Sequence, residues 1–284
     1  MNIMVSGSNG LIGKNLKQSL TKSGHEVISL SRDFSKPINF EGIDVVIHLA
    51  GENIAQKRWS PQQKDKIKNS RLIGTKQLSD QLASSEHKPS LFISSSATGF
   101  YGDRNDENLD ENSNPGTGFL SDVCQEWENS TLSAEEAGIR TVHIRTGVVL
   151  SKDGGALKKM LPPFMFGAGG ILGSGKQFMS WISIKDEIDA IIFIINNSSI
   201  SGPVNLTAPN PVNNKQFTKI LGKVIKRPTI APLPGFIAKI MFGEMADAIL
   251  LSGNKVYPKK LINAGYKFHH ENLHEALTYV LKES

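Results

Sequence analysis

A chain of 284 residues can bury a large α/β core with a smaller lobe beside it, and 39% hydrophobic with 7% aromatic content is that of a soluble enzyme. The single cysteine, Cys124, excludes an intrachain disulfide framework and fits a reducing cytoplasm, while no apolar run approaches the roughly 18 residues of a membrane span. The net charge of +5 comes from 32 scattered Lys and Arg with no run of five or six, which fits a basic surface attracting phosphorylated ligands better than a nucleic-acid footprint.

In chain order, the apolar stretch Ile3 to Val5 runs into three glycines spaced three apart, Gly7, Gly10 and Gly13, and then into a helix over about 11–23. The strand starts at residue 2, so no signal peptide is expected. Strand, glycine turn and helix together predict a dinucleotide site, with Gly7, Ser8, Asn9, Gly10, Leu11, Ile12 and Gly13 around a pyrophosphate. Strands are expected at 26–31 and 44–50, followed by a polar helix over 60–84 opened by Ser60-Pro61. A strand over 90–94, a helix over 118–137 with Leu120, Val123, Cys124 and Trp127 on one face, and a strand over 140–145 continue the alternation. This rhythm predicts a parallel, doubly wound (Rossmann) sheet with helices on both faces.

Past Leu150 the pattern changes. Residues 153–175 are dense in glycine and hold Pro162-Pro163, which predicts a loop-rich excursion. Helices follow over 185–196 and 214–226, a strand over 203–207, a turn-rich stretch over 228–270 and a closing helix over 273–281. The expected organisation is a dinucleotide-binding domain of residues 1–150 plus 183–226 and a smaller C-terminal substrate lobe of 151–182 plus 227–284.

The residue ending the second strand faces the adenosine ribose in such folds. Eighteen residues after Gly13 stand Ser31 and Arg32, with no carboxylate before Asp33. A cation beside a small hydroxyl favours NADP(H) over NAD(H). In the alternative, Arg32 is solvated and Asp33 takes the ribose hydroxyls.

With the glycine turn, Leu49-Ala50-Gly51 and the run from Ser94-Ser95-Ser96-Ala97-Thr98 to Phe100-Tyr101-Gly102-Asp103 in view, the chain resembles the extended short-chain dehydrogenase/reductases. Sugar-nucleotide epimerases and dehydratases are the best-known members. The stretches Ile144 to Leu150, Gly173 to Gln177, Ser180-Trp181-Ile182 and Asp186 are similar to an atypical branch labelled "epimerase family protein", some bacterial members of which carry a cell-division-inhibitor label. The resemblance implies an oxidoreductase or epimerase-like enzyme, with Leu49, Ala50, Gly51, Ser94 and Arg145 added to the cofactor site. It also implies a Tyr followed four residues later by Lys, the acid/base pair of the superfamily. Here the four tyrosines are followed at that spacing by Asn105, Leu261, His270 and Glu283, and the counterpart positions are Leu120 and Cys124.

Ser96 matches the superfamily's substrate-orienting serine, and Tyr101 is a candidate acid if Lys176 or Arg145 lowers its pKa. The plain alternative is that Ser96 caps a strand end and Tyr101 packs a loop. Lys176, Gln177 and Trp181 are candidates for substrate contact; a flexible loop and a packed indole are the competing readings. Asn53 and Arg71 read more readily as structural or solvated groups than as cofactor ligands. His269, His270 and His274 have no cysteine nearby and acidic neighbours suited to a solvated helix, so no metal is expected. Cys124 reads as an inert buried thiol. The expected partner is a small-molecule substrate, with neither nucleic acid nor membrane, for a cytoplasmic monomer or homodimer. A catalytically silent NADP(H)-binding sensor or partner-binding protein is the competing functional reading.

Overall fold

Near-continuous apolar strands are what a parallel sheet covered on both faces requires. In a computed structural model describing residues 1–283, the strands β1 (Asn2–Ser6), β2 (Glu26–Leu30), β3 (Val45–His48), β4 (Leu91–Ala97), β5 (Arg140–Thr146) and β6 (Gly202–Leu206) form one sheet in the order β6-β5-β4-β3-β1-β2. β1 lies parallel to both β2 and β3, and β3 lies parallel to β4, so the chain leaves β1 in opposite directions across the sheet. That reversal is a topological switch point, the place where such sheets open a crevice outside their carboxyl ends. The register aligns Leu30, Ser6, His48 and Ser94 in one row there.

The chain divides into two compact units. The first, residues 1–97, 122–145 and 188–204, holds the sheet apart from the last residues of β5 and β6. Helix α1 (Leu11–Lys22) buries Gly13, Leu16 and Leu20. Helix α2 (Pro61–Ser84) starts where the sequence places it: Pro61 needs no donor in the first turn, and the Ser60 hydroxyl accepts from the Gln63 N–H. Met4, Phe34, Val46, Leu78, Leu82 and Phe92 meet in a core of this unit. The single helix expected over 118–137 is instead two, α3 (Phe119–Asn129) and α4 (Leu132–Glu136). The Thr131 hydroxyl donates back to the Glu128 carbonyl at 2.8 Å, an interaction that competes with the helical ladder.

The second unit comprises residues 98–121, 146–187 and 205–283 as described, and it has its own core of Leu150, Phe164, Trp181, Phe217, Leu221 and Leu277. The excursion expected over 153–175 is in part a helix, α5 (Gly155–Met165), with both prolines inside it. Their missing N–H groups fall in its closing turns, and burial of Leu157 and Phe164 holds the helix in place. Helix α6 (Ile184–Asn196) leads from this unit back to the first. Helix α7 (Asn214–Ile225) opens with a reciprocal Asn213–Gln216 capping box. The turn-rich stretch after it contains α8 (Gly235–Phe242) and α9 (Lys259–Asn263), and α10 (Leu273–Thr278) ends the regular helices. Among the described residues, no helix is long and apolar enough to cross a membrane.

Candidate functional site

The glycine turn lies at the switch point and is closed by steric necessity. Gly7 has φ +69°, and a Cβ on it would fall 2.7 Å from the Leu49 carbonyl carbon and 2.8 Å from the Ala50 nitrogen. Gly13 is tighter still, with a Cβ 2.3 Å from the Gly7 oxygen, so helix α1 packs directly against the turn. At Gly10, the N-cap, a Cβ would meet only the Gly7 oxygen within 4 Å. Two glycines are thus required by packing, and the third leaves an open face over the first turn of α1, whose N–H groups have no side-chain cap. Among the flanking residues Ser8 is buried, Asn9 exposed, and Leu11 and Ile12 half-buried. This cradle fits a pyrophosphate.

Leu49 and Ala50 follow β3 as the second wall of the turn, and Gly51 after them faces the Arg71 guanidinium. Ser94 is fully buried in β4 and points no hydroxyl outward; its Oγ lies 3.4 Å from the Ser95 carbonyl. Past β2, Ser31 accepts a bond from the Asp33 N–H. Asp33 receives the Ser35 hydroxyl and N–H at 2.5 and 3.1 Å, which hold its carboxyl below the usual range. Arg32 is exposed and has no hydrogen-bond or ion-pair partner among the described residues.

Ser96 sits in a buried network. Its hydroxyl donates to Glu128 Oε1 at 2.6 Å, and Arg145 donates to the same carboxylate twice, Nε to Oε1 and Nη2 to Oε2, each at 2.8 Å. All three are nearly removed from solvent. Glu128, one turn after Cys124 on α3, is the residue that sequence reasoning missed. The available signal was a carboxylate extending an otherwise apolar stripe. Arg145 is therefore held to a carboxylate within the first unit. Cys124 is pushed up to about 12, first by burial and then by the Glu128 charge, so its thiol stays protonated and unreactive at neutral pH.

Also missed was His48, fully buried at the end of β3, with Nδ1 2.7 Å from the Ser6 hydroxyl and its ring edge-on to Phe34. Burial lowers its pKa to about 4, so it is neutral. Asn53 accepts from the Ala55 N–H within its own loop.

In the second unit Tyr101 is fully buried and donates to Asn205 Oδ1 at 2.7 Å; the Asn205 N–H in turn donates to Glu111. Lys176 is exposed. Gln177 gives its amide to the Leu172 and Leu250 carbonyls, both at 3.0 Å, which ties down the glycine-rich loop. Trp181 is fully buried in the core and donates to the Asn210 carbonyl, so packing describes it better than stacking on a substrate. His270 contacts Ser183 and Asp186, while Asp186 also accepts from the His269 N–H and the Tyr266 hydroxyl. Among the described residues no three His, Cys, Asp or Glu are grouped to hold a metal.

Residues 3–206 match the NAD dependent epimerase/dehydratase family, and residues 233–280 match a domain of unknown function, DUF1731. An epimerase family protein of Mycobacterium leprae is 41% identical across 98% of this chain and 94% of its own length. The Bacillus subtilis epimerase family protein YfhF is 36% identical across 100% of this chain and 99% of its own. Among solved structures, human epimerase family protein SDR39U1 (isoform 2) with NADPH superposes with a TM-score of 0.94 at 30% identity, covering 100% of both chains. UDP-glucose 4-epimerase of Thermotoga maritima, with UDP-glucose, shares the fold at a TM-score of 0.78 and 18% identity, covering 99% of this chain and 97% of that one. The chain belongs to the NAD dependent epimerase/dehydratase family, among the relatives called epimerase family proteins.

Proposed function

We propose that the chain is a cytoplasmic, NADP(H)-dependent oxidoreductase or epimerase-like enzyme acting on a small hydroxyl- or carbonyl-bearing substrate. The observation that carries this reading is the steric fit of the Gly7–Gly13 turn, which has no room for a Cβ at Gly7 or Gly13 and leaves Gly10 exposed at the uncapped N-terminus of α1. Residues 7–13 hold the pyrophosphate, Leu49 to Gly51 and Ser94 border the site, and the unpartnered Arg32 beside Ser31 receives a 2′-phosphate. The human relative with NADPH supports that preference. When bound, the nicotinamide supplies hydride exchange.

Ser96 is the proposed contact for the reacting oxygen. Its own proton is held by Glu128, so it accepts a hydrogen bond from a substrate hydroxyl, while Arg145 keeps Glu128 oriented. Tyr101 is the second candidate, with its orientation fixed by Asn205. Lys176, an exposed cation of the second unit, is the candidate substrate contact there, with Gln177 bracing its loop and Trp181 its core.

Calorimetry with NADPH and NADH tests the cofactor, and NADPH consumption on a panel of carbonyl compounds tests the activity. Turnover that survives Ser96→Ala combined with Tyr101→Phe would remove both from catalysis. A second reading, a silent NADP(H)-binding sensor, is favoured by Cys124, an inert thiol where the superfamily's lysine would stand. Tight NADPH binding without turnover on any panel member would select it.

A further inference from the structure

Midway along α2, Arg71 is half-buried and fixed from several sides. Its Nη1 donates to the Ile67 carbonyl one turn back and to the Glu52 carbonyl, each at 3.0 Å. The guanidinium carbon stands 5.0 Å from the centre of the Trp127 ring on α3. It also lies 3.5 Å from where a Cβ on Gly51 would be, so the glycine leaves the guanidinium face uncovered just past β3. Its charge acts on the Cys124 thiol.

Two features set this arginine apart from a structural one. Among the described residues no carboxylate stands within ion-pair distance of it, although Glu52 is near enough to feel its charge. Its Nε and Nη2 have no hydrogen-bond partner among the described residues. A cation held rigid by two carbonyls and a ring, with donors unused, is preorganised for an oxygen-bearing ligand. It stands past the same strand end, Leu49–Ala50, on which Gly7 packs, at the carboxyl edge of the sheet where ligands bind.

We propose that Arg71 binds the hydroxyls of the nicotinamide-side ribose of the cofactor, providing from α2 the positive charge that Cys124 on α3 cannot. The proposal rests on the NADP(H) reading above. Arg71 then anchors the reactive half of the dinucleotide, while residues 7–13 and 31–32 anchor the other half.

The two halves can be separated experimentally. Adenosine 2′,5′-bisphosphate carries the 2′-phosphate but has no nicotinamide ribose. Calorimetry should show Arg71→Met weakening NADPH by about tenfold or more, the loss expected for hydrogen bonds from a charged donor. Its affinity for the bisphosphate should stay within about twofold of the wild-type value, and Arg71→Lys should restore part of the NADPH affinity. Because Arg71 also braces the Glu52 loop, circular dichroism accompanies each variant. Should Arg71→Met not fold, Arg71→Lys carries the same comparison, with NADPH weakened and the bisphosphate unchanged. Unaltered NADPH affinity, or equal loss of both ligands in a folded variant, overturns the proposal and leaves Arg71 a brace. If the wild-type protein binds neither ligand, the cofactor reading fails and the proposal falls with it.

Discussion

Arg145 clamps Glu128 through two parallel 2.8 Å bonds inside the first unit, and the Ser96 hydroxyl shares one of the same carboxylate oxygens. Bidentate guanidinium–carboxylate geometry fixes direction as well as charge. Removing one member leaves the other as an uncompensated buried ion, which typically costs about 3–5 kcal/mol. Arg145→Met should lower the free energy of unfolding by that amount in urea titrations. Glu128→Leu/Arg145→Met should recover a large part of the loss, because no buried charge remains. Ser96→Ala removes one charge-assisted hydrogen bond and should cost about 1.5–3 kcal/mol. Simple additivity of Glu128→Leu and Arg145→Met would show that the clamp does not couple the two residues.

That network also shows where sequence reading stops. The glycine turn was legible because strand, spacing and helix are local, and α2 because Ser60-Pro61 is a local start signal. The Ser96–Glu128–Arg145 contacts join residues 32 and 17 positions apart in the chain, and no periodicity encodes such a meeting. Helix α5 was hidden for a different reason. Pro162-Pro163 reads as a break, yet packing of Leu157 and Phe164 outweighs the missing donors. Trp181 and Gln177 were legible as residues but not as neighbours, and only the fold shows that both are taken up by the second unit's interior and loop carbonyls.

At the edge of β2 the geometry gives a specificity test. Asp33 is turned onto Ser35, whereas Arg32 faces solvent with no partner among the described residues. Arg32→Ser should weaken NADPH by about ten- to a hundredfold, the loss of charge-assisted bonds to a phosphate, and leave NADH nearly unchanged. Arg32→Asp should go further and favour NADH. Equal NADPH affinity in wild type and Arg32→Ser, measured by nicotinamide fluorescence, would move the 2′-phosphate contact elsewhere.

His48 gives the fold one acid-labile contribution. Its folded pKa of about 4 lies below the unfolded value of 6.5 because the buried ring resists charging. Between those values the unfolded chain binds the extra proton, so stability is present above pH 6.5 and is lost as pH falls toward 4. The 2.5-unit gap sets an upper bound of about 3 kcal/mol. His48→Asn, which can keep a bond to Ser6 without titrating, should remove this rising limb, so that between pH 4.5 and 6.5 its stability falls with increasing pH relative to wild type. An unchanged acid slope in that variant would place the sensitivity in other groups.

Glu187 acts in the opposite sense. It is fully buried at the start of α6, with Oε1 accepting from the Thr146 hydroxyl and Oε2 without a partner among the described residues. Burial raises its pKa from 4.5 to about 8, more than the Thr146 bond lowers it. The folded state therefore holds a proton that the unfolded chain releases above pH 4.5. Stability from this group is complete below that value and drains away as pH rises to about 8, by a few kcal/mol in all. Over the shared window, pH 4.5 to 6.5, the His48 and Glu187 slopes have opposite sign and nearly cancel. The wild-type contribution from the pair is thus level there and falls only above pH 6.5. Glu187→Gln, an isostere of the protonated acid, should expose the rising His48 limb and stay level above it. At pH 9 it should be more stable than wild type by a few kcal/mol, and at pH 4.5 nearly equal. If urea midpoints at pH 5, 7 and 9 shift in parallel for wild type and Glu187→Gln, the carboxyl is already ionised in the folded protein and the cancellation does not exist.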